Sequence, residues 1–470
     1  MIAKKDMRIL FVVRFTGDEY LGIMSLSAVL KQYGHEVELI EAFYKKVEKR
    51  LKENKPTIVV YSTVTLFVDF YLKLNKRLKK EFDFFSAFGG QHPTAVPELI
   101  QEEGVDGVCL GEGEFALLEL VNALCAGKPI RNINNWWIKE NGHIFKNPLR
   151  PLIENLDDLP FPDRDLFATQ SLCNIEKMSI MTGRGCFYNC SYCWNSFYNQ
   201  LYKQQGSTVR KRSVQNVIQE IEHGKKKFPL KFILFYDDIF ILPYDWLEEF
   251  SVRYKQCISL PFFCDVRADL VNEQVVKLLR NAGCFSVSMG IETADDSLRS
   301  NLLGRTMSRE QIVEAAKLIK GYGIKLKTTN LVDIPGSAID IDFETIRLNI
   351  ECQPDFATVR KLRIYPKTKI DTAFAESKND IPAIMSSRNT AHTHVSQNMH
   401  SLFAIAVEFP FLLWFLKILI QLPLGSVYRM LYICWEGYCA YYRLYPTSIK
   451  TFLRGLKKYV KIITRRLVIP

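Results

Sequence analysis

Three things are missing from this chain, and each absence excludes a class. No secretory signal opens it: Met1 to Asp6 (MIAKKD) runs straight into an apolar strand pattern. Its 12 cysteines are therefore expected in a reducing cytoplasm, where metal and redox chemistry outrank a disulfide framework. No unbroken apolar run of the ~20 residues needed to span a bilayer is present. The most apolar stretch, Phe403 to Pro423, is interrupted by Glu408, Pro410, Lys417 and Pro423. Net basic charge is also scarce in the body. Ser401 to Pro470 holds ten Lys/Arg against two acids, which is +8 of the net +11, so the first 400 residues give no footprint for nucleic acid.

What is present is a globular composition, 48% hydrophobic and 24% charged over 470 residues, long enough for two or three domains with separate cores. Within it, Met181 to Trp194 reads MTGRGCFYNCSYCW, with Cys186, Cys190 and Cys193 in a Cx3Cx2C spacing. One compact loop can turn three such thiolates onto a soft metal centre, and an iron–sulfur cluster is the natural occupant. Free cysteine is often a small buried hydrophobe. Here, however, Gly183, Gly185, Phe187, Tyr188, Tyr192 and Trp194 surround the three, an unsuitable core segment. Zinc fits less well, because a closed site wants a fourth thiolate or imidazole nearby and Cys173 stands at an unrelated spacing. Three ligands on a four-iron cluster leave one iron free to hold a small chelating molecule.

TGRGCFYNCSYC resembles the signature of the radical S-adenosylmethionine (SAM) superfamily, and Lys177 to Met181 (KMSIM) can be the strand that precedes it. The resemblance implies a 4Fe-4S cluster on Cys186, Cys190 and Cys193 as catalytic and metal ligands. SAM would be chelated at the unique iron and cleaved to a 5′-deoxyadenosyl radical.

Upstream, apolar strands alternate with helical patterns: Arg8 to Arg14, Val37 to Ile40, Thr57 to Ser62, Phe84 to Phe88 and Gly107 to Leu110. Such alternation implies a doubly wound parallel sheet, Rossmann-like, with ligands beyond the strand ends. Loops containing Ser62 and Thr63, Gly89, Gly90 and His92, and Gly111 and Glu112 follow three of the strands. Together with YLGIMSLSAVLKQYGHEVELIEA, FGGQHPT and GVDGVCLGEGE they resemble the cobalamin-binding domain of cobalamin-dependent radical SAM proteins, over about 120 residues. Asp18-Glu19-Tyr20-Leu21-Gly22 stands where DxHxxG would carry a cobalt-ligating histidine, so cobalamin is implied without one. His92 is read as a loop-shaping residue.

Trp136 to Asn147 reads as an exposed hairpin, and Leu156 to Asp165 (LDDLPFPDRD) as a stretch that cannot continue a helix. The division is thus 1–135 cobalamin-binding domain, 136–170 linker, 171–376 radical SAM core and 377–470 mainly helical C-terminal region. The core shows six strand–helix units, a partial (β/α)6 barrel with its chemistry at the strand C-termini. Tyr236, Asp237, Asp238, Arg267 and Glu292 follow apolar runs there, as do Pro335 and Gly336 in Asp333-Ile334-Pro335-Gly336. By resemblance, Tyr236-Asp237-Asp238 contacts the SAM amino group, and the Glu292 and Pro335-Gly336 loops are later SAM contacts.

Asp380 to His400, with His392, His394 and His400, reads as a solvated or substrate-facing polar segment. Tyr428 to Tyr445 holds six tyrosines and a tryptophan, suited to a membrane interface or a pocket wall. Ile449 to Leu467 forms an apolar stripe edged by lysine and arginine, the pattern of a helix lying on an anionic membrane or covering the barrel. The expected function is radical C-methylation of a small, hydrophobic substrate, with an electron donor such as flavodoxin or ferredoxin and a cytoplasmic location, peripheral to the inner membrane. The alternatives are an oxidative cyclase or rearrangement enzyme similar to the anaerobic magnesium-protoporphyrin cyclase, and a non-catalytic cobalamin or redox sensor.

Overall fold

The structure is a computed structural model describing residues 8–14, 19–53, 58–168, 175–335, 337–376, 394–439 and 443–445. The chain divides into two compact units. The first comprises Met1–Asn174, Phe197–Arg210 and Tyr365–Lys367, and the second the remainder.

In the first unit, β1 (Arg8–Val13), β2 (Glu36–Glu41), β3 (Ile58–Ser62), β4 (Phe85–Gly89), β5 (Gly107–Cys109), β6 (Trp136–Glu140) and β7 (His143–Lys146) form one sheet in the order β2-β1-β3-β4-β5-β6-β7. The first five are parallel. Such strands are apolar throughout because both faces are covered. Ile9, Phe11 and Val13 pack with the helices Leu21–Gln32 and Glu114–Cys125, whereas Leu10 and Val12 pack with Tyr44–Glu53 and Val68–Lys79. The reversal of strand order between β1 and β3 is the point where doubly wound sheets bind ligands. The hairpin expected to be exposed instead extends this sheet, β6 pairing antiparallel with β5. Trp136 is buried there, its indole N–H donating to the Ala116 carbonyl at 2.9 Å. Nothing local to a hairpin sequence reveals the sheet edge it will join.

In the second unit, β8 (Lys177–Ile180), β11 (Phe232–Phe235), β12 (Phe262–Val266), β13 (Cys284–Glu292), β14 (Lys325–Val332) and β15 (Phe356–Lys361) are parallel neighbours in chain order, the expected partial (β/α)6 barrel. The two-residue strands β9 (Gly183–Arg184) and β10 (Arg210–Lys211) lie outside that sheet. Outward-facing Ile233, Phe235, Phe262 and Cys264 pack under the helices, with Phe250 of the helix Tyr244–Cys257 among them. On the inner face Phe232, Leu234 and Phe263 meet Tyr445. Ser286 Oγ donates to the Leu444 carbonyl at 2.9 Å, and Lys177 Nζ stands 3.5 Å from the Tyr445 ring centroid. Residues 443–445 thus pack at the N-terminal ends of the strands, away from their catalytic ends.

Several expectations change. Gly290-Ile291-Glu292, read as a loop, is the end of β13, with a register irregularity between Gly290 and Glu292. The helix Lys369–Glu376 was not anticipated. The segment read as solvated becomes, from His394, a helix to Glu408 that packs Met399, Leu402 and Phe403 against Ala357 and Val359 of β15. Tertiary burial thus overrides the polarity of its first turns. His392 and the stripe Ile449 to Leu467 lie outside the described residues. Among the described residues, no helix is long and apolar enough to cross a membrane.

Two outcomes are expected. The Phe250 ring lies 4.8–5.8 Å from the Phe235, Phe240, Trp246, Tyr254 and Phe262 rings. Phe250→Ala should therefore cost about 3–5 kcal/mol, and Val252→Ala, on the exposed side of the same helix, within about 0.5 kcal/mol, as read by denaturant unfolding. Burial, with Arg360 and Lys361 nearby, pushes the His400 imidazole down to about 4. Because the unfolded chain binds that proton and the folded chain does not, stability should fall as pH drops from about 6.5 towards 4, by at most about 3 kcal/mol. His400→Gln should flatten that part of the pH–melting profile.

Candidate active site

The cysteine loop leaves β8 at Ile180 and is tied at once to the end of β11. Thr182 donates its N–H to Asp237 Oδ2 at 3.2 Å and its hydroxyl to Oδ1 at 2.7 Å. Further along, Ser191 N–H donates to the Leu303 carbonyl at 3.1 Å, and Ile370 N–H donates to the Ser191 carbonyl at 3.0 Å. Gly304, at φ +67°, lets the turn after Leu303 pass close to Cys190. The loop is therefore held from three sides: β11, the turn 298–305 and the start of the helix Lys369–Glu376.

None of the three cysteines is in a disulfide; Cys190 is buried and Cys186 and Cys193 are half-buried. Backbone N–H groups of Tyr188 and Asn195 donate to the sulfurs of Cys186 and Cys193. Burial nonetheless pushes these thiols up to about 11 and about 12. The free chain thus holds them protonated, and a metal centre must displace those protons. Among the described residues, no three His, Cys, Asp or Glu side chains converge on one ion. Three thiols on one loop, with N–H donors and nearby guanidinium charge, fit a cluster that takes one thiolate per iron better than a closed mononuclear site.

Two buried arginines supply that charge. Arg267, at the end of β12, makes a bidentate pair with Asp269 at 3.0 and 2.9 Å. It points its third nitrogen at Cys190 Sγ, 3.6 Å away, and stacks 3.5 Å from the Tyr188 ring centroid. Arg305 donates to the Gly290 carbonyl at 2.8 Å and lies 3.5 Å from both Glu292 Oε1 and Tyr192 Oη. Glu292 sits at φ +67°, with the Tyr192 hydroxyl donating to it; burial raises its carboxyl and Arg305 opposes the rise. A side chain at Gly290 would collide with both charged groups. Glu292 was anticipated, whereas its partners Arg305 and Tyr192 were not. Arg305 lies in a turn with no strand before it, so no positional rule pointed there.

The other anticipated residues separate by role. Asp237 is buried against Thr182 and lies 3.5 Å from Lys211 Nζ, while Tyr236 and Asp238 are exposed at the barrel mouth, Asp238 accepting from the Asn195 amide. Pro335 follows Asp333, which is bound by Lys361 at 3.1 Å and Ser396 at 2.6 Å; Gly336 lies outside the described residues. One row was missed. Asp265, Ser288 and Lys327 are register partners on three adjacent strands, on the face opposite the helices. Burial pushes the Asp265 carboxyl up to about 6, and Lys327 opposes the rise. A charge in mid-strand was the available signal.

In the first unit the three loops converge. Thr63 N–H donates to the Gly89 carbonyl at 2.9 Å, His92 N–H to the Thr63 carbonyl at 3.3 Å, and Gly111 N–H to Thr94 Oγ1 at 3.0 Å. Gly90, at φ +100°, has no room for a Cβ against Thr63. Ser62 lies beside it. His92 Nδ1 is 3.1 Å from Thr65 Oγ1. Such a backbone cradle fits a large planar cofactor approached by main chain. Glu112 is differently engaged: its carboxylate accepts from Arg210 at 2.9 and 3.1 Å and from Ile153 N–H at 2.9 Å.

Residues 180–346 match the family model of the radical SAM superfamily, and residues 10–121 match that of the B12 binding domain. An uncharacterized methyltransferase of Pyrococcus horikoshii is 30% identical over 372 residues, 76% of this chain and 79% of that one. The anaerobic magnesium-protoporphyrin IX monomethyl ester cyclase of Rubrivivax gelatinosus is 26% identical over 66% of this chain and 57% of its own. Among solved structures, the cobalamin-dependent S-adenosylmethionine radical enzyme OxsB with aqua-cobalamin bound shares the fold. Its TM-score is 0.69, over 98% of this chain and 80% of that one, at 16% identity.

Removing Arg305 should strand the Glu292 carboxylate in the core. Arg305→Met is expected to cost about 3–5 kcal/mol, and adding Glu292→Gln should restore part of it, both read by denaturant unfolding. The thiol loop, its two guanidinium braces and the two family models place the chain in the cobalamin-dependent radical SAM family of enzymes, whose cofactors are a 4Fe-4S cluster, SAM and cobalamin.

Proposed function

We propose that this enzyme methylates an unactivated carbon of a small-molecule substrate. The observation that carries the reading is the presence in one chain of a three-thiol loop at a barrel mouth and a B12-binding sheet. Radical generation alone would need only the first. When bound, the cluster and SAM supply a 5′-deoxyadenosyl radical and cobalamin supplies the methyl group.

The chain's own residues have the following parts. Cys186, Cys190 and Cys193 hold the cluster, with Arg267 and Arg305 keeping positive charge beside the thiolates. Exposed Asp238 and Tyr236 receive the SAM amino group, and Asp237 anchors the loop that carries them. Glu292 and Pro335 border the rest of that site. The cradle of Ser62, Thr63, Gly89, Gly90 and Gly111 receives cobalamin through the backbone, and Glu112 and His92 brace it. Residues 1–135 form the cobalamin part and 171–376 the radical core. A one-electron donor such as flavodoxin or ferredoxin is required, in a reducing cytoplasm. The likeness to the Rubrivivax cyclase favours one alternative, oxidative cyclisation on the same machinery.

Reconstituted anaerobically with iron, sulfide, cobalamin and a reductant, the protein should convert SAM to both 5′-deoxyadenosine and S-adenosylhomocysteine, the latter only when cobalamin is present. The triple variant Cys186→Ala, Cys190→Ala, Cys193→Ala should form no 5′-deoxyadenosine. 5′-Deoxyadenosine without S-adenosylhomocysteine would select the cyclase reading, and neither product would leave a non-catalytic sensor.

A further inference from the structure

The C-terminal region carries a surface that the chemistry above does not use. After the helix His394–Glu408 the chain turns at Phe409 and continues through Pro410–Leu412 into the helices Leu413–Leu419 and Gly425–Tyr438. One side of this pair is packed: Leu416, Ile420, Tyr428 and Tyr432 are buried with Met399 and Phe403. The other side is apolar and open. Phe411, Trp414, Phe415 and Ile418, spaced i, i+3, i+4 and i+7, are 63, 86, 57 and 63% exposed, and Met430 is 60% exposed. That spacing normally marks a core-facing stripe. Ten of the 19 exposed large hydrophobic residues among those described fall between Phe409 and Leu431. Exposed apolar side chains concentrated in one stretch in this way mark a docking face.

Charge identifies the occupant. Residues 446–470 contribute seven Lys/Arg and no acid, and Lys417 and Arg429 are exposed on the helices themselves. Lys417 pairs with Asp340 at 3.0 Å, and a second copy would repeat the net positive charge of this region rather than oppose it. The helices, of 7 and 14 residues, reach about 10 and 21 Å, short of the ~30 Å hydrocarbon core, so they can lie in a bilayer surface but cannot cross it. Exposed aromatic and long aliphatic side chains in a net-basic region of the chain suit the headgroup–acyl boundary.

We propose that the face bearing Phe411, Trp414, Phe415, Ile418 and Met430 docks on an anionic phospholipid bilayer with those side chains inserted, the net basic charge of the C-terminal sequence favouring anionic headgroups. This holds whichever reaction the barrel performs. The full-length protein should co-sediment with vesicles of mixed phosphatidylglycerol and phosphatidylcholine at least about 10-fold more tightly than with phosphatidylcholine alone. Trp414→Ser with Ile418→Ser should weaken sedimentation by about 10-fold or more while leaving the melting temperature and 5′-deoxyadenosine formation unchanged. Lys457→Gln with Lys458→Gln and Lys461→Gln should weaken binding to the anionic vesicles alone. Brominated lipid should quench a fluorescence component that Trp414→Phe lacks. Three results would overturn the proposal: no vesicle binding by the native protein, equal sedimentation of the serine variant, or a lipid-free dimer that the serine pair dissolves, which would assign the face to a second copy.

Discussion

Two guanidiniums buried beside a cysteine loop are what the catalytic end of the barrel depends on. Arg267 and Arg305 each keep a carboxylate within reach, Asp269 at 2.9 Å and Glu292 at 3.5 Å. Taking such pairs out of water rarely adds stability over an apolar replacement, so stability alone does not account for them. Their geometry gives a better reason. One cation aims at Cys190, and the other joins Gly290 to Tyr192 within the Cx3Cx2C segment. Both provide positive charge where deprotonated thiolates must sit, and both connect the loop to strand ends that the barrel has already placed.

The same economy appears in the first unit. Its loops are held to one another by main-chain hydrogen bonds, with the Thr94 and Thr65 hydroxyls taking part. Glu112 is clamped instead by Arg210, from the segment that follows the cysteine loop in sequence. Gly111 owes its lack of a side chain to the same segment, since a Cβ there would overlap the Tyr202 hydroxyl. A stretch that looks like radical-core sequence thus belongs structurally to the sheet unit, and no periodicity in it says so.

The C-terminal helices invert a familiar pattern. An amphipathic stripe ordinarily faces the core because water excludes it. Here the core side of the helix pair is already filled by Leu416, Ile420 and Tyr432, and a second stripe remains outside. Counting apolar residues could register the excess but could not say which of them the barrel absorbs.

Strand and helix alternation, the three cysteines and the polar residues at the C-terminal ends of β11, β12 and β13 were legible in the sequence, because period, spacing and strand ends are local properties. That information determined the two-sheet architecture and most of the residues around the thiols. Tertiary structure alone decided the rest: that Arg305 reaches Glu292, that Asp265, Ser288 and Lys327 share one row, that the Trp136 hairpin extends a sheet, and that His400 is pushed down by burial. Each of these pairs groups far apart in sequence or sets the water left around a side chain, and only the packed chain settles either.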